Sequence, residues 1–321
     1  MVPDVQFDSY YGRPVVKPSP WEADIPAYIF LGGLAAGSAL LGAGGAVSDR
    51  PGLRRNGRYA ALAAVAAGGA ALVHDLGKPS RALNMMRTVK LTSPMSVGSW
   101  ILTGFGAFAG LAAASEASRN LLPERSFLAR ALRSAEPGAV AGSALFAPPL
   151  AAYTAVLLAD TATPTWHASR RELPFVFVGS ASAAAAGLAL ATTPPDQTGP
   201  ARRMAVAGAA VELVAMNQLE RRLGDTLAEP LTNGRAGRLL KVSKALTLGG
   251  AVTAGLFGRN RVAASLGGLA LMAGSACTRF GIFEAGQESA RDPRYTVEPQ
   301  RARLEERRAA GVIGDSITTG R

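Results

Sequence analysis

Side chains able to carry or exchange protons stand at the borders of long apolar runs in this chain. Glu22, Asp24 and Tyr28 open the first run, His74 and Asp75 close the second, and Tyr153 and Asp160 end the fourth. Where successive runs cross a bilayer in opposite directions, these borders lie at one membrane face, and the groups come from three helices. Carboxylate, imidazole and phenol gathered there can hydrogen-bond the two carbonyl oxygens of a quinone and exchange the two protons its reduction requires. Each group also has an ordinary use, because Tyr belongs to the interfacial aromatic belt and a carboxylate at a helix start caps free backbone N–H groups. For His74 and Asp75 as a pair, proton exchange is the expected role.

Deeper in the chain's apolar part, Glu212 is the carboxylate nearest mid-bilayer, with Asn217 and Gln218 further outward. Ionisable groups at such depth are costly enough to be functional candidates by default. Glu212 is therefore read either as a proton relay or as an interhelical hydrogen bond to Ser or Thr. Glu116, at the inner end of the third run, belongs to the same route or to the surface. Trp166 and His167, beside Arg170, Arg171 and Glu172 in the fourth loop, are candidates to close over a quinone pocket.

No metal site is expected. The chain has two His and one Cys, which excludes a disulfide framework, an iron–sulfur cluster held by this chain alone, and the four imidazoles of a two-haem cytochrome b. A single bis-His haem would have to use His167 in its polar loop, so no haem is expected. Cys277, inside an apolar run, is assigned to core packing.

The elements that must position these groups follow from composition. The 321 residues are 48% hydrophobic with 37 Gly, and the 18% that are charged fall in bunches between apolar stretches long enough to cross ~30 Å of hydrocarbon. Eight such stretches predict an all-α integral membrane fold with eight transmembrane helices. Residues 1–24 form an aromatic and Pro-rich surface strap, 25–282 the transmembrane domain, and 283–321 an extramembrane tail ordered by a partner subunit. Some stretches are short, so their helices are expected to run on into flanking charged segments. Small residues such as Gly33, Gly37, Ser180, Gly187 and Gly268 predict close helix packing, and the Pro148–Pro149 pair predicts a kink in the fourth helix. The formal net charge of +11 sits at span ends, where membrane topology explains it without nucleic acid. Short loops after the odd-numbered spans are the denser in Lys and Arg, which predicts a multi-pass protein of the cytoplasmic (inner) membrane with both termini outside. No cleavable leader is expected in the first 24 residues, since they lack a basic start followed by an apolar run.

The segment His74-Asp-Leu-Gly-Lys-Pro-Ser-Arg-Ala-Leu-Asn84 is the most distinctive in the chain. With Asp24-Ile-Pro-Ala-Tyr-Ile-Phe-Leu-Gly-Gly33 before it and Thr92-Ser-Pro-Met-Ser-Val-Gly-Ser-Trp100 after it, it resembles the NrfD/PsrC family, the membrane subunits of polysulfide-reductase-like molybdoenzymes. The likeness is specific over residues 21–104 and mainly topological beyond residue 140. It implies two four-helix bundles, bound menaquinone or ubiquinone exchanging with the quinone pool, no haem, a docked ferredoxin-like iron–sulfur subunit, and a molybdopterin catalytic subunit beyond that. By matching position, the resemblance implies that Trp21, Glu22 and Asp24 meet the quinone head with Tyr28 nearby, that Asp75 is the acidic residue after the second span, and that Tyr153 is the fourth-helix tyrosine. This chain departs from the family where it offers Glu and Asp in place of Asn and His before the first span. His74 then stands as the source of the missing imidazole. Lys78, Arg81, Asn84 and Arg87 in the loop that follows, with Arg170 and Arg171, are expected to contact the iron–sulfur partner, or else lipid headgroups.

A quinone-reactive membrane anchor passing electrons between quinone and an extrinsic assembly is thus the expected function. Two alternatives belong to other classes. Broken helices and a buried carboxylate suit a secondary transporter, but no repeat symmetry or matched Gly/Pro interruption accompanies them. A structural anchor without a quinone site would tolerate apolar replacements at Asp24, His74, Asp75 and Tyr153.

Overall fold

The computed structural model of the protein describes residues 14–311, apart from the side chains of Pro79, Arg81, Ala82 and Leu83. Most of the expected strap, with Phe7, Tyr10 and Tyr11, and the last ten residues of the expected tail lie outside the described residues.

Helices build the described chain, and no strand occurs among its residues. They are α1 (Asp24–Val47), α2 (Pro51–Asp75), α3 (Pro94–Leu121), α4 (Phe127–Ala159), the short α5 (Pro164–Ala168), α6 (Leu173–Thr192), α7 (Gly199–Thr232), α8 (Gly234–Phe257), α9 (Arg261–Arg291) and α10 (Arg294–Ala309). Their starts are set locally. Pro opens α2 and α3, where its missing N–H is no loss. Ser93, Ser126 and Asn260 cap α3, α4 and α9 through side-chain oxygens that accept backbone N–H bonds.

Six helices, α1, α3, α4, α6, α8 and α9, are long and apolar enough to cross a membrane. The chain is therefore an all-helical, multi-pass membrane protein. α2 and α7 match them in length but carry charge, α2 through Arg54, Arg55 and Arg58 and α7 through Arg202, Arg203 and Glu220 to Arg222.

Packing follows small residues. α1 lies on α2, α4 and α6; α3 lies on α4 and α2; α6 lies on α7 and α9; α8 lies on α9 and α7. A Cβ at Gly33 or Gly37 would collide with Ala181 or Ala185 of α6, and Gly187 of α6 faces the Gly268 carbonyl of α9. Without a hydrophobic drive between helices in lipid, such close backbone approach lets dispersion hold them.

α4 runs on through Pro137, Pro148 and Pro149, and α7 has non-helical backbone at Gly224, whose φ of 67° favours a residue without Cβ. α9 continues past residue 282 to Arg291. Beyond it α10 is a charged helix tied back to α7 by Arg294–Glu229 at 2.7 Å and Thr226–Glu298 at 3.2 Å.

Antiparallel neighbours bring the start of α1, the end of α2, the start of α3 and the end of α4 to one end of the molecule. The end of α9 joins them, since Gln287 Nε2 donates to the carbonyls of Ser19 and Trp21.

Candidate functional site

The site grows from a tight antiparallel pair. α1 and α2 are almost equal in length, and the turn between them is centred on Asp49, with a positive φ. At equal rise per residue, positions equidistant from Asp49 lie side by side, and Asp24 and His74 are such a pair. Their side chains meet: His74 Nδ1 lies 2.7 Å from Asp24 Oδ2. Asp24 sits in the first turn of α1, where a negative charge is favoured by the helix dipole. The imidazole is 81% exposed and the carboxylate 34%, so the pair opens onto the surroundings of the helix ends.

Asp75 and Glu22 complete a cluster of four ionisable groups. The hydrogen bond to Asp24 raises the His74 pKa, with Asp75 and Glu22 adding to it. Partial burial raises that of Asp75; a backbone hydrogen bond with Glu22 works against it, while the charges of Asp24 and Glu22 add to it. Both shifts favour the protonated form.

Tyr28 lies one turn beneath Asp24. It is buried, and its hydroxyl has no hydrogen-bond partner among the described residues. Tyr153 of α4 packs against the same apolar cluster as Tyr28. Its ring lies against the start of α3, where Gly98 leaves room and a Cβ would run into it. Phenols from α1 and α4 thus stand behind the acidic and imidazole groups of α1 and α2.

Trp21 is turned elsewhere. It stacks on Trp166 at 6.2 Å between ring centroids and, with Glu22, lines a cleft of about 520 Å³ against Arg235, Phe283 and Gln287 of α8 and α9. Trp21 is thus turned toward Trp166 and α9 rather than toward His74. Trp166 is no lid, in contrast to the expectation: it is buried, donates from Nε1 to the Ile282 carbonyl at 2.8 Å and rests on Phe283. His167 is exposed, with Nδ1 3.0 Å from the Ala159 carbonyl.

Lys78, Asn84, Arg87, Arg170 and Arg171 are exposed. The side chain of Arg81 lies outside the description. The loop that carries the first three is moored to α3, with Thr103 Oγ1 3.1 Å from Met86 Sδ and Ser96 Oγ bonded to the Thr88 carbonyl.

Glu212 belongs to a separate buried cluster. Thr278 Oγ1 donates to Glu212 Oε1 at 2.6 Å, which leaves Ser243 to donate to Thr278 at 2.5 Å; Ser180 donates to Ser275 at 2.8 Å. Beside them is Arg279, 1% exposed, its guanidinium 3.8 Å from the Phe177 ring and bonded to the Phe177 carbonyl at 2.7 Å. Nothing in the sequence reading singles out Arg279. Its signal was a lone base inside an apolar run.

At the opposite end of the molecule Glu116 is not a surface residue. Arg54 holds it bidentately at 2.9 and 3.0 Å, buried Arg58 bridges it to Glu136 at 2.9 and 2.8 Å, and Arg119 binds Glu136 at 2.6 Å. This network ties α2, α3 and α4 together, away from the Asp24–His74 cluster.

No curated protein matches the chain. A family model described as "Polysulphide reductase, NrfD" matches residues 15–201, more than half of the chain and including every residue of the Asp24–His74 cluster with Tyr28 and Tyr153. Helical architecture, membrane-crossing apolar lengths and this match agree, and the chain belongs to the NrfD family of polysulfide-reductase-like membrane subunits.

Proposed function

We propose that the chain is the haem-less, quinone-reactive membrane subunit of an oxidoreductase complex, with its quinone site at the Asp24–His74 end. In this reading all eight long helices cross the inner membrane, α1–α4 and α6–α9 forming two four-helix bundles. The pairings within each set and the α1–α6 seam support it. Both termini lie on the outer side, and Lys78, Asn84, Arg87 and Arg170, with α10, face an iron–sulfur subunit that links to a molybdopterin subunit.

The observation that carries the reading is the Asp24–His74 hydrogen bond, with Asp75 and Glu22 beside it and the Tyr28 hydroxyl unpartnered beneath it. These residues fit a quinone head: donors and acceptors stand together at the margin of the apolar region, and a buried phenol is free to donate. Bound menaquinone or ubiquinone supplies two-electron, two-proton chemistry at its paired carbonyls. His74, held by Asp24, orients an N–H toward one side of the site. Asp75, inclined to hold a proton, exchanges it with the aqueous face. Tyr28 and Tyr153 exclude water behind them.

The test uses the assembled complex and oxidation of a water-soluble quinol analogue. Asp75→Asn is expected to lower turnover by about a hundredfold or more, the range for loss of a positioned acid or base, with subunit assembly intact. Unchanged turnover in Asp75→Asn and in His74→Ala would leave only an anchor without a quinone site.

A further inference from the structure

A second feature lies on the flank of the molecule, between α6 and α7. A groove of about 650 Å³ runs there, walled by Phe175, Val211 and Val214 and closed at its upper end by Arg171, Gln218 and Arg222. Phe175 is 62% exposed and Val214 65%, and α6 is one of the membrane-length helices. The wall therefore faces hydrocarbon.

The rim has a different character. Arg222 is neutralised by Glu172, to which it is bonded through both Nε and Nη2. Arg171 and Gln218 are both exposed, and neither has a hydrogen-bonding or ionic partner among the described residues. A free guanidinium fork and a free amide at the head of an apolar groove, at the level where α6 begins, match one kind of ligand. It has an anionic, oxygen-rich head and a long apolar tail.

We propose that this groove is a binding site for an anionic phospholipid, whose phosphate is held by Arg171 and Gln218 and whose acyl chain lies along Phe175, Val211 and Val214. The positive charge of Arg171 selects the lipid, while the Glu172–Arg222 pair shapes the rim without adding net charge. Arg171 thereby moves from the expected partner-facing set to the membrane flank, one residue beyond Arg170. A quinone would find the same wall but no anion to offer the free guanidinium, so it is the weaker occupant.

Native mass spectrometry of the full chain in neutral detergent, titrated with phosphatidylglycerol or phosphatidylcholine, tests the assignment. The protein is expected to retain phosphatidylglycerol in preference to phosphatidylcholine. Arg171→Gln should weaken that retention by about fivefold, the effect of one juxtamembrane base on anionic lipid. Arg130→Gln, an exposed base at the opposite end, should leave it unchanged. Val214→Trp, which fills the groove and leaves the charges in place, should also abolish it, so that a misfolded Arg171 variant does not decide the matter alone. Equal retention of the two lipids, retention unaffected by both Arg171→Gln and Val214→Trp, or displacement of phosphatidylglycerol by a quinone analogue at equal concentration would overturn the proposal.

Discussion

His74 illustrates how little a single side chain needs to become a proton-exchanging group. Its hydrogen bond to Asp24 favours the imidazolium form and outweighs the small opposing effect of burial. The sign is definite: a His whose pKa is raised stays protonated over a wider range and loses its ionic bond to Asp24 only as pH climbs through the raised value. Removing the partner charge reverses this. In Asp24→Asn the NMR-monitored His74 titration should shift to lower pH, toward the ordinary value near 6.5. An unmoved midpoint would mean that the pair does not form in the membrane-embedded protein. The same contact was open to inference from the sequence, given two helices of equal length about one turn. The orientation of Trp21 was not, because adjacent residues of a strap can pass on either side of a helix.

Charged elements at the opposite end do a different job. Arg58 lies deep in α2, yet both of its bonded partners are carboxylates from other helices, so α2, α3 and α4 are joined by one network rather than by separate surface pairs. Breaking such a buried set is costly because the remaining charges stay unpaired. Glu136 accepts from Arg58, Arg119 and the Ser115 hydroxyl at once. These bonds need ionised carboxylates, so the stability they give is lost as pH falls far enough to protonate them. Thermal melts of the detergent-solubilised protein should therefore drop between neutral pH and about pH 4. Glu136→Gln should melt lower at pH 7 and show a flatter pH dependence; an equally steep dependence in that variant would count against the network's role. The extension of α2 into its basic flank was legible in the sequence, because its apolar run is short for a span. The carboxylates that Arg54 and Arg58 meet on neighbouring helices were not, since neither the partners nor their distance can be read along one chain.

For the molecule as a whole, Arg279 is the group on which the seam depends. It projects from α9 against Phe177 of α6, close to Gly33 of α1, and its charge interacts with Glu212 of α7. Four helices from both halves thus surround one guanidinium. Arg279→Met removes the hydrogen bond to the Phe177 carbonyl and the positive charge beside Glu212 and is expected to lower the unfolding midpoint. The double change Glu212→Leu with Arg279→Met removes both charges and should recover part of that loss. The comparison is read from unfolding midpoints in detergent; a double variant no more stable than the single one would show that the two charges are not coupled. Glu212→Gln should lower stability while leaving quinol oxidation in the complex unchanged, as expected of an interhelical clasp formed with Thr278 rather than a relay.

What the linear order of residues determined by itself was lengths and borders. Apolar runs of membrane length, charge bunched between them, and acidic, imidazole and phenolic groups at alternate borders follow from composition and from the rise of a helix, and they suffice for the helical class and the Asp24–His74 end, while the segments 24–33, 74–84 and 92–100 carry the family resemblance. Tertiary structure alone decided rotation about each helix axis. That rotation turns Arg279 and Glu212 inward to Thr278 and Phe177, carries Trp21 away from Asp24 and packs Trp166 as core. It is set by where Gly and Ala let backbones touch, as at Gly33, Gly37 and Gly187, and such contacts join residues far apart in the chain. A periodic pattern constrains them weakly when helices are apolar on nearly every face, because the bilayer rewards no particular one.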